Sequence, residues 1–226
     1  MVSRVMTSRA AVLLARRLVN TLPAGGDTLF NPWKDRCIDD EAANSPAAKV
    51  IRLAAHLDCD PAYILCGEAP GYQGCRHSGV AFTSERLLLE GAIPRVPQET
   101  ARLTRRSLPY SEPSATIVWK TLYRLGIAER VVLWNAVQLH PHRAGEHCTN
   151  RTPTPAEIAL GAPAMAILVD AFPDARIIAV GKKASGLLAD MGIPVAADVR
   201  HPANGGARQF AEGLAEIVGA TPLARG

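Results

Sequence analysis

A carboxylate in a glycine-spaced loop is the residue of this sequence best placed to do chemistry. Residues 67–83 read GEAPGYQGCRHSGVAFT, and Glu68 comes shortly after an apolar run at residues 62–66. Such a run predicts a buried strand, and open α/β sheets bind their ligands beyond the carboxyl ends of strands. The glycines let the backbone approach a ligand closely. A carboxylate there can position and deprotonate a water molecule, so the loop predicts a reaction site.

The sequence predicts alternating helices and strands that must hold this loop. Helical periodicity predicts helices over residues 8–19, 46–57, 84–90, 114–125, 155–172, 182–191 and 204–218. Short apolar runs predict strands over residues 62–66, 130–137, 175–180 and 194–199. Strands joined by crossover helices form a parallel sheet between two helical layers. The predicted fold is therefore α/β, a three-layer α/β/α sandwich with a central, mainly parallel four-stranded sheet.

Length and hydropathy narrow the class of protein. A chain of 226 residues, 48% of them apolar, can bury a full core. We expect one domain over residues 1–226, with a basic loop insertion at residues 91–113. No apolar run reaches the roughly 20 residues of a membrane span, and residues 1–22 have the pattern of a docked helix. We therefore expect a cytoplasmic monomer without membrane contact.

Charge and cysteine content say less about the class of protein. The formal net charge of +4 permits a polyanionic partner without demanding one. The five cysteines are odd in number and contain no CxxC pair, which argues against a disulfide framework and against a zinc ribbon. We expect reduced thiols.

Several motifs, in order along the chain, together resemble the uracil-DNA glycosylase superfamily. The segment GEAPG at 67–71 resembles the first motif of the family 4 enzymes, and GVAFT at 79–83 is closer to the family 5 pattern. NRTPTPAE at 150–157 resembles the NRTPTPEE segment of both families, and residues 175–181 resemble the strand and turn that follow it. RHPA at 200–203 resembles the second motif, of HPS type. The resemblance implies excision of uracil from DNA.

One departure from the pattern concerns the cofactor. Families 4 and 5 hold an iron-sulfur cluster on four cysteines, but the N-terminal region here offers only Cys37. The position after the second predicted strand reads QLHPH at 138–142, and the following helix has no thiol at 158–162. We therefore expect no cluster and no cofactor. The segment FNPW at 30–33 is the expected structural replacement.

Glu68 and His201 suit the two sides of an N-glycosidic bond. Its cleavage develops positive charge on the sugar and negative charge on the departing base. Glu68 would hold the attacking water and stabilise the sugar, and His201 would donate to a carbonyl oxygen of the leaving pyrimidine. A loop-capping carboxylate and an ordinary loop histidine are the simpler interpretations. Glu85 is a rival acid, although a carboxylate in the first turn of a helix explains it better.

Recognition of a flipped base needs an aromatic surface and a polar edge. Phe82 would stack under the base, unless it is only a core residue. The amide of Asn135 would accept from N3 of uracil and donate to O4, which excludes cytosine; a strand-end asparagine bonded to a loop is the alternative. Tyr72 would block a 5-methyl group or simply cover the sheet end. The full set of predicted substrate-binding residues is Gly67, Ala69, Tyr72, Gln73, Phe82 and Asn135.

Basic and amide side chains near predicted strand ends are candidates for phosphate contacts. Arg76 is open to two roles, contacting a phosphate or pairing with Glu68. The predicted DNA-binding residues are Arg76, Asn150, Arg151, Arg200, Asn204 and Arg208.

A histidine-rich loop contains the residue types of a zinc site. His140, His142, His147 and Cys148 are all possible zinc ligands, but their spacing is not that of a standard finger. Phosphate contacts are the preferred interpretation, and we predict no metal.

The sequence thus predicts a monofunctional base-excision repair glycosylase that flips uracil out of single- or double-stranded DNA and leaves an abasic site. Lys182 and Lys183 open a helix and lie outside the signature loops, which are the glycine-spaced loop at 67–83 (the signature loop below) and the loop with the second motif at 200–203. No lysine is therefore expected to form the Schiff base of a strand-cleaving lyase. Two alternatives remain. One is a protein of the same fold that binds abasic sites or single strands with weak or lost catalysis; the other is a glycosylase for the deaminated purines hypoxanthine and xanthine.

Overall fold

A computed structural model describes residues 7–219 of the chain. Part of the predicted N-terminal segment at 1–22, namely residues 1–6, lies outside the described residues, as do residues 220–226.

The elements follow one another along the chain as helices and strands in near-regular alternation. They are α1 (Arg9–Asn20), β1 (Leu29–Phe30), α2 (Pro46–Leu57), β2 (Tyr63–Gly67), α3 (Cys75–Ser78), α4 (Glu85–Leu89), α5 (Pro113–Arg124), a 3-10 turn (Ala128–Arg130), β3 (Val131–Asn135), β4 (His140–Pro141), α6 (Pro155–Ala171), β5 (Arg176–Val180), α7 (Lys182–Asp190), β6 (Ala197–Val199) and α8 (Ala207–Ile217).

Four strands form a parallel sheet in the order β3-β2-β5-β6. In the register of β2 with β3, Gly67 lies opposite Asn135. All three neighbouring pairs are parallel, so the carboxyl ends of the strands share one edge. The predicted four-stranded sheet is confirmed.

Alternate residues of the strands pack against different helical layers. Ile64 of β2 belongs to the core shared with α1, α2, α6 and α7. Leu65, the next residue, belongs to the core shared with α4, α5 and α8. Because both faces are covered, the strands are almost continuously apolar. The three-layer α/β/α architecture is confirmed.

Some local details differ from the sequence prediction. Helix α5 begins at Pro113, with Glu112 as its N-cap, one residue before the predicted start at residue 114. Proline at the first helical position favours that start. Strands β1 and β4, which were not predicted, form a small antiparallel ladder that places Phe30 opposite His140.

The insertion at 91–113 packs against the body of the protein. Leu103 and Tyr110 are buried. The guanidinium of Arg95 donates to the backbone carbonyls of His56 and Val131, each at 3.1 Å. Arg95 is therefore held by the body of the protein, and only some of the basic side chains of this insertion face solvent.

Within residues 7–219, none of the helices combines the length and the apolar character that crossing a membrane requires. The five cysteines are all free thiols.

Candidate active site

A cavity of about 790 Å³ opens at the carboxyl edge of the sheet. The ends of β2, β3, β5 and β6, or the loops after them, contribute Glu68, Asn135, Gly181 and His201 to its wall. A second cavity of about 700 Å³ shares Glu68 and His201 with the first. The two cavities form one continuous cleft at the edge where open α/β sheets bind ligands. The structure thus brings together the two predicted catalytic residues.

Glu68 is anchored by its backbone and keeps its side chain in the cleft. Its carbonyl accepts from the N–H of Val137 at 2.9 Å, and the carbonyl of Gly67 accepts from Ala136 at 2.8 Å. The side chain is 29% exposed, and its Oε1 lies 3.4 Å from Nζ of Lys183. The backbone of Glu68 is therefore fixed while its carboxylate is partly solvated, as a water-positioning group requires.

Lys182 and Lys183 both line the first cavity. Both lysines lie outside the signature loops in the sequence, as predicted, but the fold brings them to the same cavity as Glu68. They open α7 directly after β5, which delivers them to the same edge as Glu68. Nζ of Lys183 also donates to Oγ1 of Thr152 at 2.9 Å. Lys183 is therefore held between Glu68 and Thr152 at the wall of the cavity.

His201 is held in one tautomer by its own loop. The backbone N–H of Ala203 donates to its Nδ1 at 3.1 Å, so the neutral ring carries its proton on Nε2. Burial, and after it the charge of Arg200, lowers the pKa of His201 below its ordinary value. At pH 7 the ring is therefore neutral and offers an N–H donor within the cavity.

Phe82 lies on the wall beside His201 in an uncommon backbone conformation. Its φ is +49°, which is rare for a bulky residue. The indole N–H of Trp119 donates to its carbonyl at 3.0 Å and helps to hold it. A Cβ on Gly67 would lie 2.6 Å from Cζ of Phe82, so glycine is needed there for the ring to fit. Strained residues cluster at functional sites, which supports a role for this ring in the cavity.

Asn135 ends β3 with its side chain on the cavity wall. The residue is 6% exposed, and its backbone carbonyl accepts from Nε2 of Gln138 at 2.7 Å. Among residues 7–219 its side-chain amide has no hydrogen-bond partner. A nearly buried amide without a partner is costly unless a ligand or water satisfies it. The alternative of an asparagine bonded to a neighbouring loop is not what the structure shows.

Glu112 is a second carboxyl group of the cleft, which the sequence did not reveal. It lines both cavities together with Glu68. Its Oε1 accepts from the hydroxyl of Ser114 at 2.9 Å, and it forms no ion pair within residues 7–219. Burial raises its pKa above the ordinary value, and the Ser114 hydrogen bond only partly offsets this. In the sequence it is simply a glutamate before Pro113, with no signal linking it to residue 68.

Glu85, the rival acid, does not reach the cleft. Its buried carboxylate accepts from Nε of Arg102 at 2.7 Å, from Oγ1 of Thr104 at 2.6 Å and from the N–H of Tyr110 at 3.0 Å. Burial alone would raise the pKa of Glu85, but these hydrogen bonds hold it below the ordinary value. Glu85 therefore fastens the 91–113 insertion to the body, and the structure argues against it as the catalytic acid.

Of the remaining predicted substrate-binding residues, Ala69 and Gln73 line the cleft and Tyr72 does not. Ala69 lines both cavities, and Gln73 lines the second. Tyr72 lines neither. Its ring packs edge-on against the ring of Tyr110, with the ring centres 6.3 Å apart. Its backbone N–H donates to Oδ1 of Asn150 at 3.0 Å. This arrangement fits the alternative of a structural cover and argues against a gate for 5-methyl groups.

Four predicted DNA contacts lie at exposed positions around the cleft. Arg200 and Asn204 line the first cavity, and Asn150 and Asn204 line the second. Arg208 is at the start of α8, 76% exposed at its side chain, with Nε 3.0 Å from Oε1 of Glu212. All four can meet a phosphate without a change of fold.

Of the other two predicted DNA contacts, Arg76 is turned inward, and Arg151 lines the second cavity but is engaged in an ion pair. Arg76 is 4% exposed; its guanidinium lies 3.8 Å from the ring centre of Phe30 and donates to Nδ1 of His140 at 2.8 Å. Arg151 forms a two-pronged ion pair with Glu157, at 2.8 and 2.6 Å. The structure thus contradicts a phosphate contact for Arg76, and also its pairing with Glu68. Arg151 braces its own loop.

Comparison with known proteins identifies the family. Residues 55–218 match the sequence model of the uracil DNA glycosylase superfamily. The chain belongs to this superfamily. Membership makes the protein a DNA glycosylase, a hydrolase that acts on bases in DNA.

The fold is also found in a solved structure. The crystal structure of wild-type SMUG2 from Pedobacter heparinus aligns with a TM-score of 0.62 over 91% of this chain and 97% of that chain, at 14% identity. At that identity the likeness concerns the fold. No curated protein sequence matches the chain.

The iron-sulfur cluster of families 4 and 5 does not fit this glycosylase. His140 lies just after the second main strand, where those families place a thiol, and Arg76 and Phe30 pack against it. Trp33 stacks on Trp134 with ring centres 5.9 Å apart. These contacts tie the 30–33 segment to the body, which accords with its predicted role as a replacement.

The four-residue metal set predicted as an alternative is divided in this glycosylase. Nδ1 of His140 accepts from Arg76, and its Nε2 lies 2.9 Å from the carbonyl of Thr149, so both ring nitrogens are engaged. Nδ1 of His142 lies 3.0 Å from the carbonyl of Arg143. His147 and Cys148 instead lie beside Asp39.

Proposed function

We propose that this glycosylase removes uracil from DNA by hydrolysis and leaves an abasic site without cutting the strand. The observation that carries the proposal is the cleft itself, where a fixed carboxylate at Glu68 and a neutral imidazole donor at His201 line the same cavity. Phe82 and Asn135 on the same wall provide an aromatic surface and a free amide edge.

The reaction breaks the bond between C1′ of the deoxyribose and N1 of uracil. The bonding electrons leave with uracil and spread onto O2 and O4, and Nε2–H of His201 donates to the negative O2. Glu68 stabilises the cationic sugar and orients a water whose oxygen bonds to C1′. The proton that this water loses passes to Glu68 and then to solvent.

Asn135 makes the site select uracil over cytosine. Its Oδ1 accepts from N3–H of uracil and its Nδ2 donates to O4. Cytosine has no N3–H and carries an amino group in place of O4, so it would face the amide with two mismatched pairs. Unpaired polar groups in a buried site are strongly disfavoured.

Glu112 assists on the water side. Its raised pKa keeps Glu112 protonated to higher pH than an ordinary glutamate, and in that form it does not repel Glu68 and adds an O–H donor to the cleft. In this role Glu112 holds the water oxygen while Glu68 takes the proton.

The decisive experiment is a base-release assay on oligonucleotides that contain uracil, hypoxanthine or xanthine, in single and double strands. We expect uracil to be released, and Glu68→Gln to lower kcat by about 100-fold. Asn135→Ala is expected to narrow the preference for uracil over cytosine. Glu90→Gln, at an exposed position just after α4 and away from the cleft, is the matched control.

Three results would redirect the proposal. Preferential release of hypoxanthine or xanthine would make the protein a purine-directed enzyme. Tight binding of abasic DNA without any base release would make it a binding protein. An unchanged rate in Glu68→Gln would remove Glu68 from the mechanism.

The absence of strand cleavage has its own test, because Lys183 lies in the cleft. Borohydride reduction during the reaction traps a Schiff base between a lysine and the abasic sugar. We expect no covalent protein–DNA adduct. An adduct lost in Lys183→Met would show that the enzyme also acts as a lyase.

A further inference from the structure

Asp39, His147 and Cys148 form a cluster of possible metal ligands outside the cleft. Their ligand atoms all lie within 4.8 Å of one another. Nε2 of His147 lies 3.0 Å from Oδ2 of Asp39, and Sγ of Cys148 lies 4.0 Å from the same oxygen. A carboxylate, an imidazole and a thiol are together the donor types that zinc prefers.

The spacing of these atoms suits one small cation. Zinc bonds of about 2.0 to 2.3 Å at tetrahedral angles separate neighbouring ligand atoms by about 3.3 to 3.6 Å. The distances of 3.0 and 4.0 Å around Oδ2 of Asp39 lie on either side of that range. Changes of about half an ångström or less would bring these two distances into it.

A potential fourth ligand is close by. Sγ of Cys37 also lies 4.0 Å from Oδ2 of Asp39. Cys37 is not among the residues whose ligand atoms all lie within 4.8 Å of one another, so its thiol would have to move closer to His147 and Cys148 to complete the set. Without it, water would take the open position.

A neighbouring cluster of similar composition is already neutralised by a lysine. Cys37, Asp40 and His77 are buried together, but Nζ of Lys49 lies 2.6 Å from Oδ2 of Asp40. That ammonium group occupies the side of the carboxylate that a metal would need. Asp39 forms no ion pair with a lysine or arginine in the part of the chain described.

The cluster is also accessible to ions from solvent. The side chains of Asp39 and His147 are 29% and 40% exposed, and Cys148 is exposed. A solvent cation can therefore enter without unfolding the protein.

We propose that Asp39, His147 and Cys148 bind a zinc-type divalent cation that joins the 37–40 segment to the 143–150 loop. The position of the site gives the cation a structural role. Asn150 ends this loop, and its Oδ1 accepts from the N–H of Tyr72 in the signature loop. The carbonyl of Asp39 accepts from the N–H of Arg105 at 2.8 Å. One cation would thus join two segments that are themselves hydrogen-bonded to the signature loop and to the 91–113 insertion.

The test is metal binding to the purified full chain after removal of metals with a chelator. We expect one equivalent of Zn²⁺ or Co²⁺ to bind, and Co²⁺ to give the absorption of a thiolate complex. Cys148→Ser should abolish the thiolate band. His147→Gln should weaken Zn²⁺ binding by at least about 100-fold, since even outer-shell substitutions cost about 10- to 100-fold. Cys59→Ser, at a thiol packed against the α1 and α2 side of the core, is the matched control and should bind as the wild type does.

Thermal unfolding gives a second readout that does not depend on glycosylase activity. Zn²⁺ should raise the Tm of the wild type and of Cys59→Ser, but not that of Cys148→Ser. The proposal is overturned if the wild type binds no stoichiometric metal, or if Cys148→Ser keeps both the thiolate band and the Tm shift.

Discussion

The carboxylate of Glu112 occupies the space where a side chain at position 74 would begin. A Cβ on Gly74 would lie 1.9 Å from Oε2 of Glu112. The signature loop, which contains Glu68, therefore also leaves room for this second acid. Gly74, which was expected to let the backbone approach a ligand, makes room for a carboxyl group of the protein itself.

Glu112→Gln should change the pH dependence of excision. Burial raises the pKa of Glu112, so the wild-type group keeps its proton to higher pH than an ordinary glutamate and loses it as the pH rises. If the protonated form holds the water, wild-type kcat falls on the high-pH side of the profile as this proton is lost. Glutamine keeps a donor at every pH, so the variant should lose the alkaline limb and retain kcat within about 10-fold at lower pH.

The measurement is a profile of kcat against pH for the wild type, Glu112→Gln and the control Glu90→Gln. An alkaline limb that persists unchanged in Glu112→Gln would contradict the assignment. A parallel loss of kcat at all pH values would show that the carboxyl group only supports the loop.

Gly67→Ala should damage the base pocket more than the fold. The added Cβ would lie 2.6 Å from Cζ of Phe82 and 2.8 Å from Oδ1 of Asn135, so the ring or the amide must move. We expect a loss of kcat/KM of about 10-fold or more and a destabilisation of about 1 to 3 kcal/mol. A rate equal to that of the wild type would show that Phe82 and Asn135 are not needed where they lie.

Gly186→Ala is the matched control. Position 186 lies inside α7 with nothing within 4 Å of an added Cβ. Alanine there should leave the rate unchanged and stabilise the protein by about 0.5 to 1 kcal/mol. Urea unfolding and the base-release assay measure both quantities for both variants.

The elements of the fold could be predicted because their signals are local. Helix α2 begins and ends at the predicted residues 46 and 57, since Ser45, Pro46 and the apolar spacing all lie within one segment. Strand β2 was predicted one residue early, at 62–66 against Tyr63–Gly67. Only 3 residues of the predicted strand at 194–199 form β6, because pairing with β5 sets its length and that contact is not local.

The site was only partly predictable for the same reason. Glu68, Asn135 and His201 each follow or end an apolar strand, so their meeting at one edge follows from the parallel sheet. Glu112 and Lys183 reach the cleft from helix starts, whose direction depends on packing. Arg76 looked like a phosphate ligand because the sequence does not show that Phe30 and His140 enclose it.

His201→Asn should slow the chemical step while leaving DNA binding intact. Removing one donor to a developing oxyanion costs about 100- to 1,000-fold in kcat. The shorter side chain of asparagine would not place its N–H where Nε2–H lies. Fluorescence anisotropy with uracil-containing DNA should give a Kd within about 3-fold of the wild type, since His201 acts on charge that exists only in the transition state. Equal losses in Kd and in rate would instead make His201 a binding residue.

Acid should destabilise the protein partly through His140. Burial, followed by the charge of Arg76, lowers the pKa of His140 from 6.5 to about 3. The unfolded chain therefore takes up a proton below pH 6.5 that the folded chain does not, and the free energy of unfolding falls as the pH drops from 6.5 towards 3. From pH 6.5 to 5 the loss is about 2 kcal/mol for one such histidine. His56, whose pKa is likewise lowered to about 3 by burial, adds a similar loss.

His140→Gln should remove His140's share of that loss. A glutamine can still accept from Arg76 and donate to the carbonyl of Thr149, so the local hydrogen bonds survive while the titration does not. Urea unfolding at pH 7.5 and pH 5 should show a smaller drop in stability for the variant, by about 2 kcal/mol. His147→Gln, at a partly exposed histidine, should keep most of the wild-type drop. If wild type and His140→Gln lose stability in parallel, the folded protein must accommodate a protonated His140 beside Arg76.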